Sequence, residues 1–190
     1  MGIFIENLFK NFLKTCIYHQ IYWNNSKGED EAMGLRNVLV NGDERLRKKS
    51  RPVTEFDQRL WNLLDDLYET MQERNGVGIA APQVGILRQA VVIDVGEGKV
   101  ELINPQIVEK EGDQYGTEGC LSVPGEWGMV HRPKKVKVKA QDRNGNPFEL
   151  EAEDYLAVAA CHETDHLEGV LFIDLADRML DESELEEIEE

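Results

Sequence analysis

Between residues 60 and 71 the apolar positions fall at Leu60, Trp61, Leu63, Leu64, Leu67, Tyr68 and Met71, the three-and-four spacing of an amphipathic helix. Thr54 is expected to cap its start and Asn75-Gly76 to end it. The stretch 76–85, rich in Gly and Ala, reads as a loop. The continuous apolar run from Ala90 to Val92, carried on by Ile93-Asp94, reads as a buried strand. Val100–Ile103 and Gln106–Glu109 read as two more, separated by Asn104-Pro105. From residue 135 the period changes to two. Val136, Val138 and Ala140 alternate with Lys135, Lys137 and Lys139, Asn144-Gly145 turns the chain, and Phe148 and Leu150 alternate on the return. That is a hairpin with one wet face. Residues 154–168 form a second helix built on Leu156, Ala157, Ala159 and Ala160, with Asp154 at its start and Gly169 past its end. Its small side chains allow other elements to surround it closely. Strands and helices do not alternate regularly, so the expected fold class is α+β rather than doubly wound α/β.

The chain has 190 residues, enough for one domain with a substantial core. The expected catalytic unit runs from 33 to 180. Ahead of it, Ile5, Leu8, Phe9, Phe12, Leu13, Cys16 and Ile17 pattern as an amphipathic helix within residues 1–23. Lys10 and Lys14 break the apolar run and no small-residue cleavage site follows, which argues against a secretory signal. Glu6 stands where a myristoylation signal wants Ser or Thr. A polar linker, residues 24–31, leads to a second methionine, Met33. Either residues 1–32 are a helical appendage, or the protein proper starts at Met33; the second reading is preferred.

Charge is unevenly spread. Residues 174–190 hold nine acids and one base, a net −8 that is half of the chain's −16. The last ten residues, 181–190, read as a solvated acidic tail. A phosphate backbone would repel it, so no direct nucleic-acid binding is expected. No apolar stretch is long enough to span a membrane. Three widely spaced cysteines, Cys16, Cys120 and Cys161, make no disulfide framework. They fit a reducing cytoplasm, with at least one thiol available for chemistry or metal.

The chemistry-bearing motif is His162-Glu163-Thr164-Asp165-His166 on the second helix. Histidines four apart stand on one helix face and can converge on one cation, with Glu163 beside them to handle the proton of an activated water. A third ligand is needed. In one known pattern a histidine follows six residues after the second; here that position is Phe172. Glu182 and Glu184 sit in the charged tail and are poor candidates, and His131 is another candidate. Cys120, in the loop Glu118-Gly119-Cys120-Leu121-Ser122-Val123-Pro124, is the best one, because thiolate binds divalent first-row metals strongly. A buried, inert thiol is the competing reading for Cys120.

Three segments in register favour the ligand. Gly76-Val77-Gly78-Ile79-Ala80-Ala81-Pro82-Gln83, Glu118-Gly119-Cys120-Leu121-Ser122 and His162-Glu163-Thr164-Asp165-His166 resemble the three motifs of the peptide deformylases, over about Leu35 to Leu180. The resemblance implies sheets surrounding a central helix that bears the metal histidines. It implies hydrolysis of the N-formyl group of formyl-methionine on nascent polypeptides, with release of formate. The implied ligands are Cys120, His162 and His166. The implied metal is one divalent ion, Fe(II) by preference, with Zn, Ni or Co able to take its place. An activated water would attack the formyl carbon with Glu163 as general base and acid. Leu121 N–H and the Gln83 amide would stabilise the oxyanion, with Gly78 close by. Glycines at 76 and 78 would let backbone approach the ligand. Glu118 and Arg132 would pair in support of the Cys120 loop. Val158 and Ala159, one turn before His162, are expected to line a methionine pocket. The enzyme would be a cytoplasmic, bacterial-type monomer, at most transiently near the ribosome. Cys161 departs from the family, where Gln is common, and is read as packing.

Two other readings compete. A zinc peptidase would need a different third ligand and should keep its metal when Cys120 becomes Ser. A non-catalytic metal protein would have no use for a free base at Glu163.

Overall fold

The computed structural model describes residues 34–181 and Glu184. The expected helix in residues 1–23, the boundary at Met33 and all of the acidic tail except Asp181 and Glu184 lie outside the described residues. In chain order the regular elements are α1 (Gln58–Glu73), β1 (Gly78–Ala80), β2 (Ala90–Ile93), β3 (Val100–Glu111), β4 (Gln114–Cys120), β5 (Val123–Arg132), β6 (Lys135–Gln141), β7 (Pro147–Glu153), α2 (Asp154–Glu168) and β8 (Arg178–Met179). Two antiparallel sheets result, one ordered β1-β2-β3-β6-β7 and the other β4-β5-β8. The class is α+β.

The unbroken apolar run at Ala90–Ile93 follows from burial on both faces. Val91 and Ile93 join a cluster with Leu102, Val136, Val138 and the α2 residues Ala157, Ala159, Ala160 and Cys161. Ala90 and Val92 join the opposite cluster with Leu60, Leu63, Leu64, Leu67 and Met71 of α1. A strand between two helices has no polar face to keep, so the period-two signal vanishes. Leu64 is fully buried in the α1 cluster. Leu64→Ala is expected to cost about 2–5 kcal/mol, read as a lowered urea midpoint with unchanged slope.

The hairpin forms as expected, with Lys135, Lys137 and Lys139 directly opposite Glu153, Glu151 and Glu149. Cross-strand pairs of this kind at a wet face fix register more than they stabilise.

Four expectations change. α1 is capped by Asp57, not Thr54, because the Asp57 carboxylate accepts from Arg59 N (3.0 Å) and Leu60 N (3.2 Å). Asn104-Pro105 bulges one strand rather than separating two. Ile103 faces Gln141 and Gln106 faces Lys139, so two residues stand opposite Ala140 alone. Asn104 takes a left-handed conformation there (φ 51°), and its side chain bonds both N (2.8 Å) and O (2.9 Å) of Val53, tying the segment before α1 to the sheet. The expected loop at 76–85 contains β1 and a short 3-10 helix, Ala81–Val84. The Cys120 segment is the end of β4 and a tight turn into β5 rather than a free loop, with Cys120 opposite Val123. Among the described residues no helix is long and apolar enough to cross a membrane.

Candidate active site

α2 ends where Gly169 turns left-handed (φ 79°) and Val170 N bonds Asp165 O at 3.0 Å. A Cβ at Gly169 would lie 2.6 Å from the Arg47 backbone, so only glycine lets the end of α2 dock there. The helix is thereby fixed between the sheets with His162 and His166 on one face. The β4–β5 turn brings Cys120 to the same face. The three residues offer donor atoms that all lie within 4.8 Å of one another, with Cys120 Sγ 3.3 Å from His166 Nε2. This is a possible metal-binding group.

The surroundings fit a cation. His162 Nδ1 bonds Glu118 Oε2 at 2.8 Å, which leaves Nε2 as the free donor. Burial opposes charge on His162, yet Cys120 and Glu118 outweigh it and raise its pKa well above the ordinary value. Burial and the charge of His162 push His166 well below, so it stays neutral. The sulfur and carboxylate neighbours of His162 thus favour positive charge at this place, which a bound cation would also supply. The soft sulfur and two imidazoles suit a divalent first-row metal.

Glu118 is itself held. Burial would raise its pKa, but the hydrogen bonds from His162 and Arg132 bring it down to about 2. Arg132 donates Nε to Glu118 Oε1 (2.7 Å) and Nη2 to Oε2 (3.0 Å), and Nη1 goes to Asp165 Oδ2 (2.6 Å). The expected pairing of Glu118 with Arg132 is therefore present.

Glu163 is 4% exposed, and its Oε2 is a buried atom with no hydrogen-bond partner. Burial pushes its pKa up to about 7. Gly78 lies against it. A Cβ on Gly78 would come within 2.8 Å of Glu163 Cγ and Cδ, and closer still to Oε1. The missing side chain at 78 therefore makes room for Glu163, whereas the motif had suggested backbone approaching a ligand. Gly76 similarly makes room for Leu121 and Met71.

Gln83 is buried with both ends of its amide engaged. Its Oε1 accepts from Ala80 N (2.8 Å), and its Nε2 faces Ser122 Oγ (3.2 Å) and Cys120 Sγ (3.6 Å). Leu121 occupies the turn beside Cys120. Ala159 is buried in the cluster of α2 and the large sheet, and Val158 is half-buried.

Several placements were not anticipated. Ser122, fully buried, orients Gln83, and its N–H reaches Cys120 Sγ at 3.4 Å. Asp165 holds the far side of Arg132; its place between the two histidines was the available signal. Phe172, in the position of a third histidine, instead stacks on His162 with centroids 6.2 Å apart. His131 is exposed, bonded to Asp113 at 2.8 Å and stacked on Tyr115, outside the donor group. Cys161, expected to pack, is buried in the core, and burial raises its thiol pKa to about 11.

The comparisons agree with this geometry. The family model described as polypeptide deformylase matches residues 35–182. The peptide deformylase of Caldicellulosiruptor bescii is 59% identical over 155 residues, covering 82% of this chain and 93% of its own. The crystal structure of peptide deformylase from Thermotoga maritima superposes with a TM-score of 0.74 at 44% identity, over 76% of this chain and 99% of that one. A Met-Ala-Ser-bound class I type b peptide deformylase from Acinetobacter baumannii superposes with a TM-score of 0.71 at 35% identity, over 74% and 98%. With match, identity and fold concordant over most of its length, the chain belongs to the polypeptide deformylase family of hydrolases.

Proposed function

We propose that this protein hydrolyses the N-formyl group from formyl-methionine at the start of nascent polypeptides, with Cys120, His162 and His166 holding a divalent metal and Glu163 moving the proton. The observation that carries the reading is the unpartnered, buried Glu163 carboxylate beside the convergent sulfur and imidazole donors. A structural metal site has no use for such a group.

When bound, the metal would supply Lewis acidity to water and to the formyl carbonyl. Fe(II) is the proposed ion, with Zn, Ni or Co as substitutes. Glu163 takes a proton as water attacks the formyl carbon and returns it to the leaving amine. Burial raises the pKa of Glu163 in the metal-free protein, and a carboxyl that holds a proton more readily suits a group that must both take and return one. Gln83 Nε2 and Leu121 N–H are the proposed donors to the developing oxyanion. The hydrogen bond that Gln83 Oε1 accepts from Ala80 N keeps the amide NH2 turned toward Cys120 and Ser122. Ser122→Ala should therefore lower kcat with little change in metal content, as one anchor of that amide is lost; equal kcat would refute the role. Glu118 and Arg132 orient His162.

The methionine side chain is proposed to lie along Val158 and Ala159. Since Ala159 is already packed in the core, Val158 is the better exposed of the two. Replacing Ala159 with Trp should raise KM for formyl-Met peptides; unchanged kinetics would remove Ala159 from the pocket. We place the protein in the cytoplasm as a monomer, with residues 33–180 as its catalytic unit and no direct nucleic-acid contact.

The deciding experiment measures formate released from formyl-Met-Ala-Ser by protein loaded with Fe(II) without oxygen. Release that stops on chelation is expected. No release from fully metallated protein would overturn the proposal. Cys120→Ser tests the ligand set separately: metal loss is expected, and retention would return the zinc-peptidase reading.

A further inference from the structure

We infer that Asp165 is a positioning residue that sets the Cys120 hairpin against the histidine helix and so governs how long the site keeps its metal. The inference rests on reading Cys120, His162 and His166 as the ligands. Those ligands come from two separate elements, since the histidines ride on α2 and Cys120 on the β4–β5 hairpin. Something must hold the two elements in register without metal. The side chains form a closed circuit that does so. His162 leaves α2 and bonds Glu118 on β4 at 2.8 Å. Glu118 takes two hydrogen bonds from Arg132 on β5. Arg132 returns to α2 through Asp165 at 2.6 Å.

His162 and Asp165 are three apart on one helix, so the hairpin is joined to α2 at two points less than a turn from each other. Gln114 of β4 also reaches the start of α2, at Asp154 O (2.9 Å), about two turns from His162. The Arg132–Asp165 contact is the one that fixes the hairpin beside the ligands. Arg132 suits the role because its planar fork fixes direction as well as charge. It is 7% exposed, with Glu118 at 5% and Asp165 at 30%, so water competes mainly at the Asp165 end. That end is where a small change should act without unfolding the rest.

The test uses the full chain loaded with Co(II), whose thiolate charge-transfer absorption reports Cys120 ligation directly. Excess chelator is added and loss of the band is timed for wild type, Asp165→Asn and Asp165→Glu. Asp165→Asn is expected to speed Co(II) loss about 10- to 100-fold, the usual effect of removing a partner behind a ligand. Asp165→Glu keeps the charge and should recover most of the lifetime. A contact that served stability alone would lower the urea midpoint of the metal-free protein and leave Co(II) loss unchanged, and that result would overturn the inference. Should Asp165→Asn fail to fold, Arg132→Lys serves instead. It keeps the charge but cannot grip both carboxylates, and it carries the same expectation and the same refuting result. Because the readout is metal retention, a wild type that binds Co(II) through thiolate yet releases no formate would defeat the proposed reaction and leave this inference standing.

Discussion

Glu163→Gln is expected to keep its metal and lose formate release by about 100- to 10,000-fold, the range for removing a general acid–base group. The substitution is nearly isosteric, and the ligands do not use Glu163, so metal content should match wild type. Loss of both metal and activity would mean that Glu163 supports the site rather than moving a proton. Full activity would mean that the base lies elsewhere. The same variant has a stability signature. In the metal-free protein the Glu163 pKa is raised by burial from 4.5 to about 7. A raised carboxyl favours the protonated form in the folded state. Its contribution is therefore fully present below pH 4.5 and is lost as pH rises through 7. At about 1.4 kcal/mol per pH unit, wild type should lose on the order of 3 kcal/mol relative to Glu163→Gln across that window. Urea midpoints of both metal-free proteins between pH 4.5 and 8 measure it. Parallel curves would show that the carboxyl is not buried as described.

Gly78→Ala should nearly abolish turnover while sparing the ligands. The new methyl would meet the Glu163 side chain at 2.8 Å from Cγ and Cδ, well inside contact distance. β1 cannot retreat, because Gly78 pairs with Ile93 and Val77 O accepts from Asp94 N at 2.8 Å. Glu163 must move instead, in a site where a shift of about 1 Å can cost about 100-fold. Overpacking should also cost about 1–3 kcal/mol. Formate release from formyl-Met-Ala-Ser is expected to fall about 100-fold with metal content unchanged. Gly116→Ala, with nothing within 4 Å of the added methyl, is the matched control on β4. Wild-type turnover in Gly78→Ala would detach that glycine from the catalytic group.

The chemistry of this protein was legible in local sequence because it depends on local spacing. Two histidines four apart face one way on any helix, and the glutamate between them is carried along. The helix at Gln58–Glu73 and the Lys-Glu hairpin were likewise readable, since each has one wet face and therefore a period, and the surrounded helix at Asp154–Glu168 was readable from its good helix formers and its end signals. The strand at β2 was readable by its unbroken apolar run. Where that logic does not hold, sequence said less. β1 is three residues of Gly, Ile and Ala, too short and too buried to show a period, and it passed for loop. The end of β4, from Glu118 to Cys120, is polar and small because its β5 and α2 neighbours supply partners for Glu118, so it too passed for loop.

By itself, then, the sequence determined which residue types could bind metal and move a proton, and which segments had to be amphipathic. Tertiary structure alone decided that Gly78 is empty so that Glu163 can lie against it, that Ser122 and Ala80 hold the Gln83 amide, and that Asp165 completes the path through Arg132 and Glu118 back to His162. Apart from the short Ala80–Gln83 bond, each of these joins residues far apart in the chain, and a contact between distant positions has no period and no spacing for a sequence to display.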